Sequence, residues 1–558
     1  MKRLARSAVT TGAVLFAGLV ASASDLPLAM LRFASVQTRS VEEWKGTARA
    51  LGENPGCCHD VWFSTGESFP SVDWHRANVD RIAVAAADVR RLGLQVSLQF
   101  EATIGHGDEF PTDEEKAVFD KPWTGWTGPD GYECRYCNCP RQPGFLKRLA
   151  EVSELYATIR PAVVWLDDDL RVMRHLPVTG KDGPGCWCAK CVADFAAAEG
   201  RDWTRETLHD AWRKDERLRE RWHDFSVRSL AEVATVIARS FRKVSPTTQM
   251  GLQTSESWRR QNEIIVRALA AATGEKVSVR LGGGAYYDLS PYEQIAKTRQ
   301  MATARRDLSL EDVVCNWCTE VETYPRAYGS RSVRSVAIES FVALGWGFDT
   351  VSWFVMDRRS ESDAFYSRYL LRPLVSVSAF LGAYREASRG TEPAGFTCPI
   401  DAKDDRCLIG VPLLPGRGVS WGEISAEREV FRHLGPVWDG YRSDLLTDFR
   451  KTPSARIQEI RDRVSGSAPL KLASPFVGLV LPRVDGDGAL RTVGLVGARL
   501  DPQVDIVLRL DAAKSVRARW HELGEGVREL GIDSDGDRQR IVIPSLGAWN
   551  VGYLELMR

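Results

Sequence analysis

The chain has 558 residues, 44% of them apolar and 27% charged. That is enough apolar surface for a large core, and it excludes a disordered or collagen-like chain. Lys plus Arg and Asp plus Glu each number 74, so the formal net charge is zero, which argues against a nucleic-acid binder that works by bulk charge.

The N-terminus reads Met-Lys-Arg-Leu-Ala-Arg, then an apolar run from Ala13 to Ala23, then Asp25. A basic start, a short apolar stretch and Ala21-Ser22-Ala23 form a secretory signal cut after Ala23. The expectation is a periplasmic or secreted protein, and the mature form is expected to have no membrane span.

Strand-like apolar runs then alternate with amphipathic stretches. The eight runs are Leu28–Val36, Val61–Ser64, Gln95–Ala102, Ala162–Asp167, Met250–Gln253, Val277–Leu281, Val313–Trp317 and Thr350–Val355. Helical patterns lie between them at Asp73–Leu92, Pro143–Ile159, Asp224–Val244 and Ser332–Gly345. Eight such units suit an α/β fold of the (β/α)₈ TIM-barrel type. A doubly wound sheet would use a Gly-rich phosphate turn after the first strand, and none is present. The expected organisation is a signal peptide at 1–23, a barrel at 24–390, a small α/β segment at 391–474 and a C-terminal β-sandwich at 475–558. Alternation of Val504, Ile506, Leu508 and Leu510 and the turns Asp485-Gly486-Asp487-Gly488 and Asp535-Gly536-Asp537 support the sandwich. Those Asp-rich turns suit hairpins more readily than calcium sites.

Barrel chemistry sits at the C-terminal strand ends. Here these ends offer Gln37, Arg39, Glu67, Glu101, His106, the run Asp167-Asp168-Asp169-Leu170-Arg171, Glu256, Trp258, Tyr286, Tyr287, Asp288, Glu320, Glu322, Trp353 and Asp357. Carboxylates and aromatic rings at one rim suit a sugar site, although the 18 Trp also suit core packing. Glycosidic hydrolysis needs two carboxyl groups across the scissile bond. The fourth and seventh strand ends face each other, so Asp168 or Asp169 pairs with Glu320 or Glu322. Glu101, Arg171, Glu322, Trp353 and Tyr286 are candidate substrate contacts. A metal site built on Asp167–Asp169, giving a metal-dependent hydrolase, is a rival reading. A carbohydrate-binding barrel without hydrolysis is another.

Twelve Cys cluster as Cys57-Cys58, Cys134-x-x-Cys137-x-Cys139, Cys186-x-Cys188-x-x-Cys191, Cys315-x-x-Cys318, Cys398 and Cys407. For the two triplets, zinc and disulfides both remain open. Cys398 and Cys407 are a natural disulfide pair.

Three motifs together resemble family 42 glycoside hydrolases, the β-galactosidase family of clan A. They are Trp165-Leu166-Asp167-Asp168-Asp169, the downstream Cys186-Trp187-Cys188-Ala189-Lys190-Cys191, and the upstream Cys139-Pro140-Arg141-Gln142-Pro143. Thr319-Glu320-Val321-Glu322-Thr323-Tyr324-Pro325 echoes that family's seventh-strand Glu-x-x-Pro more loosely. The resemblance implies a catalytic barrel, a trimerisation domain (hence a homo-oligomer), a C-terminal β domain and a retaining exo-glycosidase acting on carbohydrate. It puts Asp169 in the acid/base place, Asp168 in the place of an Asn and Glu320 in the nucleophile place. It puts Cys139, Cys186, Cys188 and Cys191 in the places of a structural Zn²⁺ site. There are departures. Asp169 is one methylene shorter than the family's Glu, about 1.5 Å of reach, and Asp168 accepts where an Asn would donate, so galactoside specificity does not carry over. Segment 408–474 is also short for the trimerisation domain.

Overall fold

The computed structural model describes residues 26–557 except 34–40, 110, 174–182, 256–258, 283–285, 287–293, 296, 299–300, 303, 306–307, 324–329, 357–362, 395–469, 475, 477 and 512–516. The expected signal peptide, nearly all of the 391–474 segment and the Cys398–Cys407 pair lie outside these residues. So do Gln37, Arg39, Glu256, Trp258, Tyr287, Asp288 and Asp357.

Eight parallel strands close into a barrel: Ala29–Phe33, Asp60–Ser64, Gln95–Phe100, Val163–Leu166, Gln249–Ser255, Val277–Gly282, Val314–Glu322 and Thr350–Phe354. All eight overlap the apolar runs read from the sequence. The seventh differs most, because it runs on through Glu322 and makes Glu320 and Glu322 strand residues with fixed sidedness.

The helices begin where local chemistry permits. Ser71 caps Val72–Arg91 by accepting from the Trp74 amide, Pro143 opens Pro143–Ala157 where its missing N–H costs nothing, and Ser332 caps Val333–Gly345. The helix expected at Asp224–Val244 starts earlier, at Glu216, where Asp215 accepts from the Arg217 and Leu218 amides.

Inside the barrel, alternation sorts residues into layers. Met30, Trp62, Trp165 and Cys318 form an apolar plug. The rings of Trp62 and Trp165 stack with centroids 4.5 Å apart, worth about 0.5–1.5 kcal/mol beyond area burial. Trp44, Trp126, Trp187, Trp222, Trp353 and Trp520 are also fully buried. Core packing therefore accounts for many of the Trp residues.

C-terminal to the barrel lie a six-stranded and a four-stranded antiparallel sheet. Val480, Val493, Leu495, Trp520 and Leu554 of the first meet Ile506, Leu508, Ile541 and Ile543 of the second in a separate core. The alternation read at 504–510 breaks at Asp505, which has φ 50°, so Val504 is turned to solvent. Asp485 Oδ1 accepts from the Asp487 and Ala489 amides, so this turn closes a hairpin. The other face of the six-stranded sheet, with Leu479, Leu481, Val496 and Tyr553, packs on the barrel's helices as part of the main core.

Candidate active site

Two residues further along the strands from the apolar plug, the inward positions are polar except on the eighth, where Phe354 stands. Six of them close a ring. Arg32 donates to Gln99 Oε1 from Nε at 3.1 Å and from Nη2 at 3.0 Å. Gln99 Nε2 donates to Asp167 Oδ1 at 2.8 Å, and Gln253 Nε2 reaches the same oxygen at 3.3 Å. Arg280 Nη2 donates to Gln253 Oε1 at 2.7 Å. Arg280 Nη1 and Arg32 Nη1 then converge on Glu320 Oε1 at 2.6 and 2.5 Å. The ring draws on the first, third, fourth, fifth, sixth and seventh strands. Gly282 leaves it room, since a Cβ there would collide with Arg280 Nη1 and Glu320 Oε2.

Glu320 is 2% exposed. Burial alone would raise its pKa, but the guanidinium groups of Arg280 and Arg32, with Lys297, outweigh this and bring it down to about 2. Asp167 is equally buried but faces amides. Burial, with Asp168 and Asp169 nearby, pushes it up to about 7 against the pull of His106.

Above the ring, His106 Nε2 lies 3.2 Å from Asp168 Oδ1 and 3.3 Å from Asp167 Oδ2, with Nδ1 3.9 Å from Glu67. Despite burial, the carboxylate of Asp168, which accepts from Nε2, and those of Glu67, Asp167 and Asp169 nearby hold the imidazole well above its usual pKa. Asp168, also 3.9 Å from Arg280 Nη2, goes the other way. His106, Arg280 and Arg171 overcome its burial and hold it well below the usual carboxylate range. Burial takes Glu67 up to about 8. His106 and Asp168 keep partial exposure at the mouth, with side-chain values of 22% and 20%.

The fourth strand stops at Leu166, and a turn closed by Leu170 N to Asp167 O at 3.3 Å follows. Strand alternation ends there, and Asp169 does not occupy the acid/base place that the resemblance assigns it. Its carboxylate is fully buried and accepts from Thr103 Oγ1 and the Gly105 amide in the loop after the third strand. Trp353 is a second correction. It points out of the barrel and donates from Nε1 to Ser340 Oγ at 3.0 Å, so it packs under a helix instead of meeting substrate; Phe354 faces inward, 4.3 Å beneath the Arg32 guanidinium. Glu101 sits at the rim, accepting from Ser64 Oγ and from Gln99 Nε2. Tyr286 and Glu322 lie close enough for the charges of Glu320, Glu322 and Asp168 to add to burial in raising the Tyr286 phenol. Arg171 acts on Asp168 through its charge.

Arg32, Gln99, Gln253 and Arg280 were not read from the sequence as site residues. The signal was present: each is a polar residue at an inward position inside an apolar strand, one alternation below the strand ends.

The cysteines divide. Cys139, Cys186, Cys188 and Cys191 are buried with their sulfurs within 4.8 Å of one another. Cys139 Sγ lies 3.5 Å from both Cys188 Sγ and Cys191 Sγ, far beyond a disulfide bond of about 2.05 Å and near the sulfur–sulfur edge of about 3.8 Å that follows from zinc–sulfur bonds of about 2.3 Å in a tetrahedron. Cys134 and Cys137 turn away, toward Asp108 and the Gly105 carbonyl. A three-aspartate metal site is not formed, since Asp169 faces elsewhere. Asp167, Asp168 and His106 do bring three ligand atoms together, with Arg280 beside Asp168 as a competing cation.

The fold and mouth define an eight-stranded (β/α) barrel that places carboxylates of opposite electrostatic character in one ring. Its fold is similar to that of a GH42 β-galactosidase from G. stearothermophilus, at TM-score 0.57 and 10% identity, covering 95% of this chain and 98% of that one. An α-L-fucosidase isoenzyme 2 from Paenibacillus thiaminolyticus is similar at TM-score 0.53 and 10% identity, covering 96% and 100%. A β-galactosidase from Bacillus circulans sp. alkalophilus gives TM-score 0.52 and 10% identity, covering 95% and 99%. At these identities the likeness is one of fold. No family model matches the chain, and no curated protein matches it by sequence.

Proposed function

We propose that the protein is an exported, retaining exo-glycosidase with a carbohydrate substrate. The observation that carries this reading is the ring, which presents a buried, ionised Glu320 opposite Asp168 and His106 at a barrel mouth. Glu320 attacks the anomeric carbon, because two guanidinium groups keep it deprotonated. The proton that His106 Nε2 holds against Asp168 Oδ1 goes to the leaving oxygen, and water then attacks the glycosyl-enzyme, giving its proton back to His106 and releasing the sugar and Glu320. Glu101, Glu322 and Tyr286 contact hydroxyl groups of the sugar. The similar solved structures include β-galactosidases and an α-L-fucosidase, which supports the reaction class and no particular sugar.

A panel of aryl glycosides, with product anomers followed by NMR, tests the reading. Turnover with retention is expected. Turnover with inversion overturns the mechanism. Sugar binding without turnover favours a carbohydrate-binding barrel, a reading supported by the ionised state of Asp168. Turnover abolished by EDTA at an intact fold favours the metal-dependent hydrolase.

Cys139, Cys186, Cys188 and Cys191 fit a closed structural zinc site. Zinc would tie the start of the helix Pro143–Ala157 to the helix Ala189–Glu199 and supply no chemistry at the mouth. Elemental analysis of purified protein is expected to find about one zinc per chain, and these four cysteines in disulfides with no metal would overturn the assignment.

A further inference from the structure

The helix Val333–Gly345 lies between the barrel and the six-stranded sheet. From Ser335 to its end every residue is buried. Among these apolar and small residues stands one carboxylate, Glu339, with no exposed surface. A charge in such a place needs partners, and Glu339 has two. Arg331 Nη2 donates to its Oε2, and Lys297 Nζ lies 3.0 Å from its Oε1.

Both cations also reach the seventh strand. Lys297 Nζ donates to the main-chain carbonyl of Glu320 at 2.7 Å. Arg331 Nη1 donates to that of Glu322 at 2.7 Å. Among the described residues, pairing with the sixth strand runs to Leu281 with Thr319 and pairing with the eighth to Phe354 with Glu322. Residues 320 and 322 share one side of the strand, and the Thr323 amide bonds to Phe354 on the other. The two cations thus hold the main chain of the seventh strand at Glu320 and Glu322.

We propose that Glu339 is a positioning residue: through Lys297 and Arg331 it fixes the C-terminal end of the seventh strand and so holds Glu320 against Arg32 and Arg280. The inference rests on Glu320 being the reacting carboxylate.

The groups that face Glu320 are Arg32 from the first strand, Arg280 from the sixth, Lys297 behind it, and Asp168 and Tyr286 across the mouth. E339Q and K297M are expected to lower kcat by about 10- to 100-fold with KM little changed, as misplacement of a reacting group does. K297R, which keeps the cation, is expected to recover more turnover than K297M. In K297M the acid limb of kcat moves to higher pH, because a cation that lowers the Glu320 pKa is gone. A carboxyl ¹³C NMR titration of Glu320 reads the same upward shift without substrate. Folded E339Q and K297M proteins with wild-type kcat and no shift of Glu320 would overturn the proposal. If E339Q does not fold, K297M decides, since it leaves Glu339 paired with Arg331. Absence of turnover in the wild type counts against the glycosidase reading alone, because the titration still tests the positioning.

Discussion

Glu320 and Asp167 occupy one ring, at one depth in one barrel, each 2% exposed, yet their acidities differ by several units. Glu320 is brought down to about 2 by guanidinium neighbours, while Asp167, facing two amides and other aspartates, rises to about 7. Depth alone therefore does not set the protonation state. What decides is whether nearby cations outweigh burial, as Arg280, Arg32 and Lys297 do at Glu320 and His106 does not at Asp167. Environments that push two carboxyl groups apart are what acid/base division of labour needs.

The sharpest way to break this contrast is to remove the ionised member. Glu320→Gln keeps shape and deletes the charge, and turnover is expected to fall by about a thousandfold or more with folding intact. Wild-type rates on the panel would move the nucleophile to Glu322.

Asp168→Ala tests the proton side. It is expected to slow substrates with poor leaving groups by about 10²- to 10⁴-fold and activated aryl glycosides far less, since only the former need the proton. Azide is expected to restore part of the breakdown of the glycosyl-enzyme. If Asp169→Ala shows this pattern and Asp168→Ala does not, the burial of Asp169 gives way when substrate binds.

Asp167→Asn probes the other pole. A raised carboxyl stays protonated in the folded chain while its unfolded counterpart, with a pKa of about 3.9, has already ionised. Its contribution to stability is therefore present at low pH and lost as pH rises from about 4 toward 7. In Asp167→Asn the fall in melting temperature over that window should flatten, as read by thermal melts across pH. An unchanged slope would mean that another buried acid, such as Asp60, also raised to about 7 by burial, dominates.

The smallest effect is expected for Asp169→Asn, which leaves the Gly105 amide facing an NH₂ in one rotamer. A loss of about 1–3 kcal/mol is expected in denaturant titration.

Most of the architecture could be read in the sequence, because burial on both faces makes barrel strands near-continuous apolar runs. Glu320 was legible for a related reason: the seventh strand keeps its alternation past the residue, so sidedness carries through. Asp169 was not, because its strand ends three residues earlier and a turn decides where the side chain goes. Trp353 misled because an indole at a strand end looks alike whether it faces sugar or helix, and only the position of Ser340 settles it. The rest of the ring was hidden because its other four residues, 32, 99, 253 and 280, are distant in sequence and joined only by closure of the barrel. Lys297 and Glu339 were out of reach for the same reason.

The six-stranded sheet has one face in the sandwich core and the other on the barrel's helices, where Leu481 meets Gly345 so closely that a Cβ there would collide. Arg483 of the same sheet donates to the carbonyls of Leu344 and Gly345. Such a sheet is shared property. Cutting the chain before residue 470 would strip the cover from Val333–Gly345, the helix that carries Glu339, and expose its apolar flank. The barrel is thus not a detachable module, and heat should melt barrel and sandwich in one cooperative calorimetric transition.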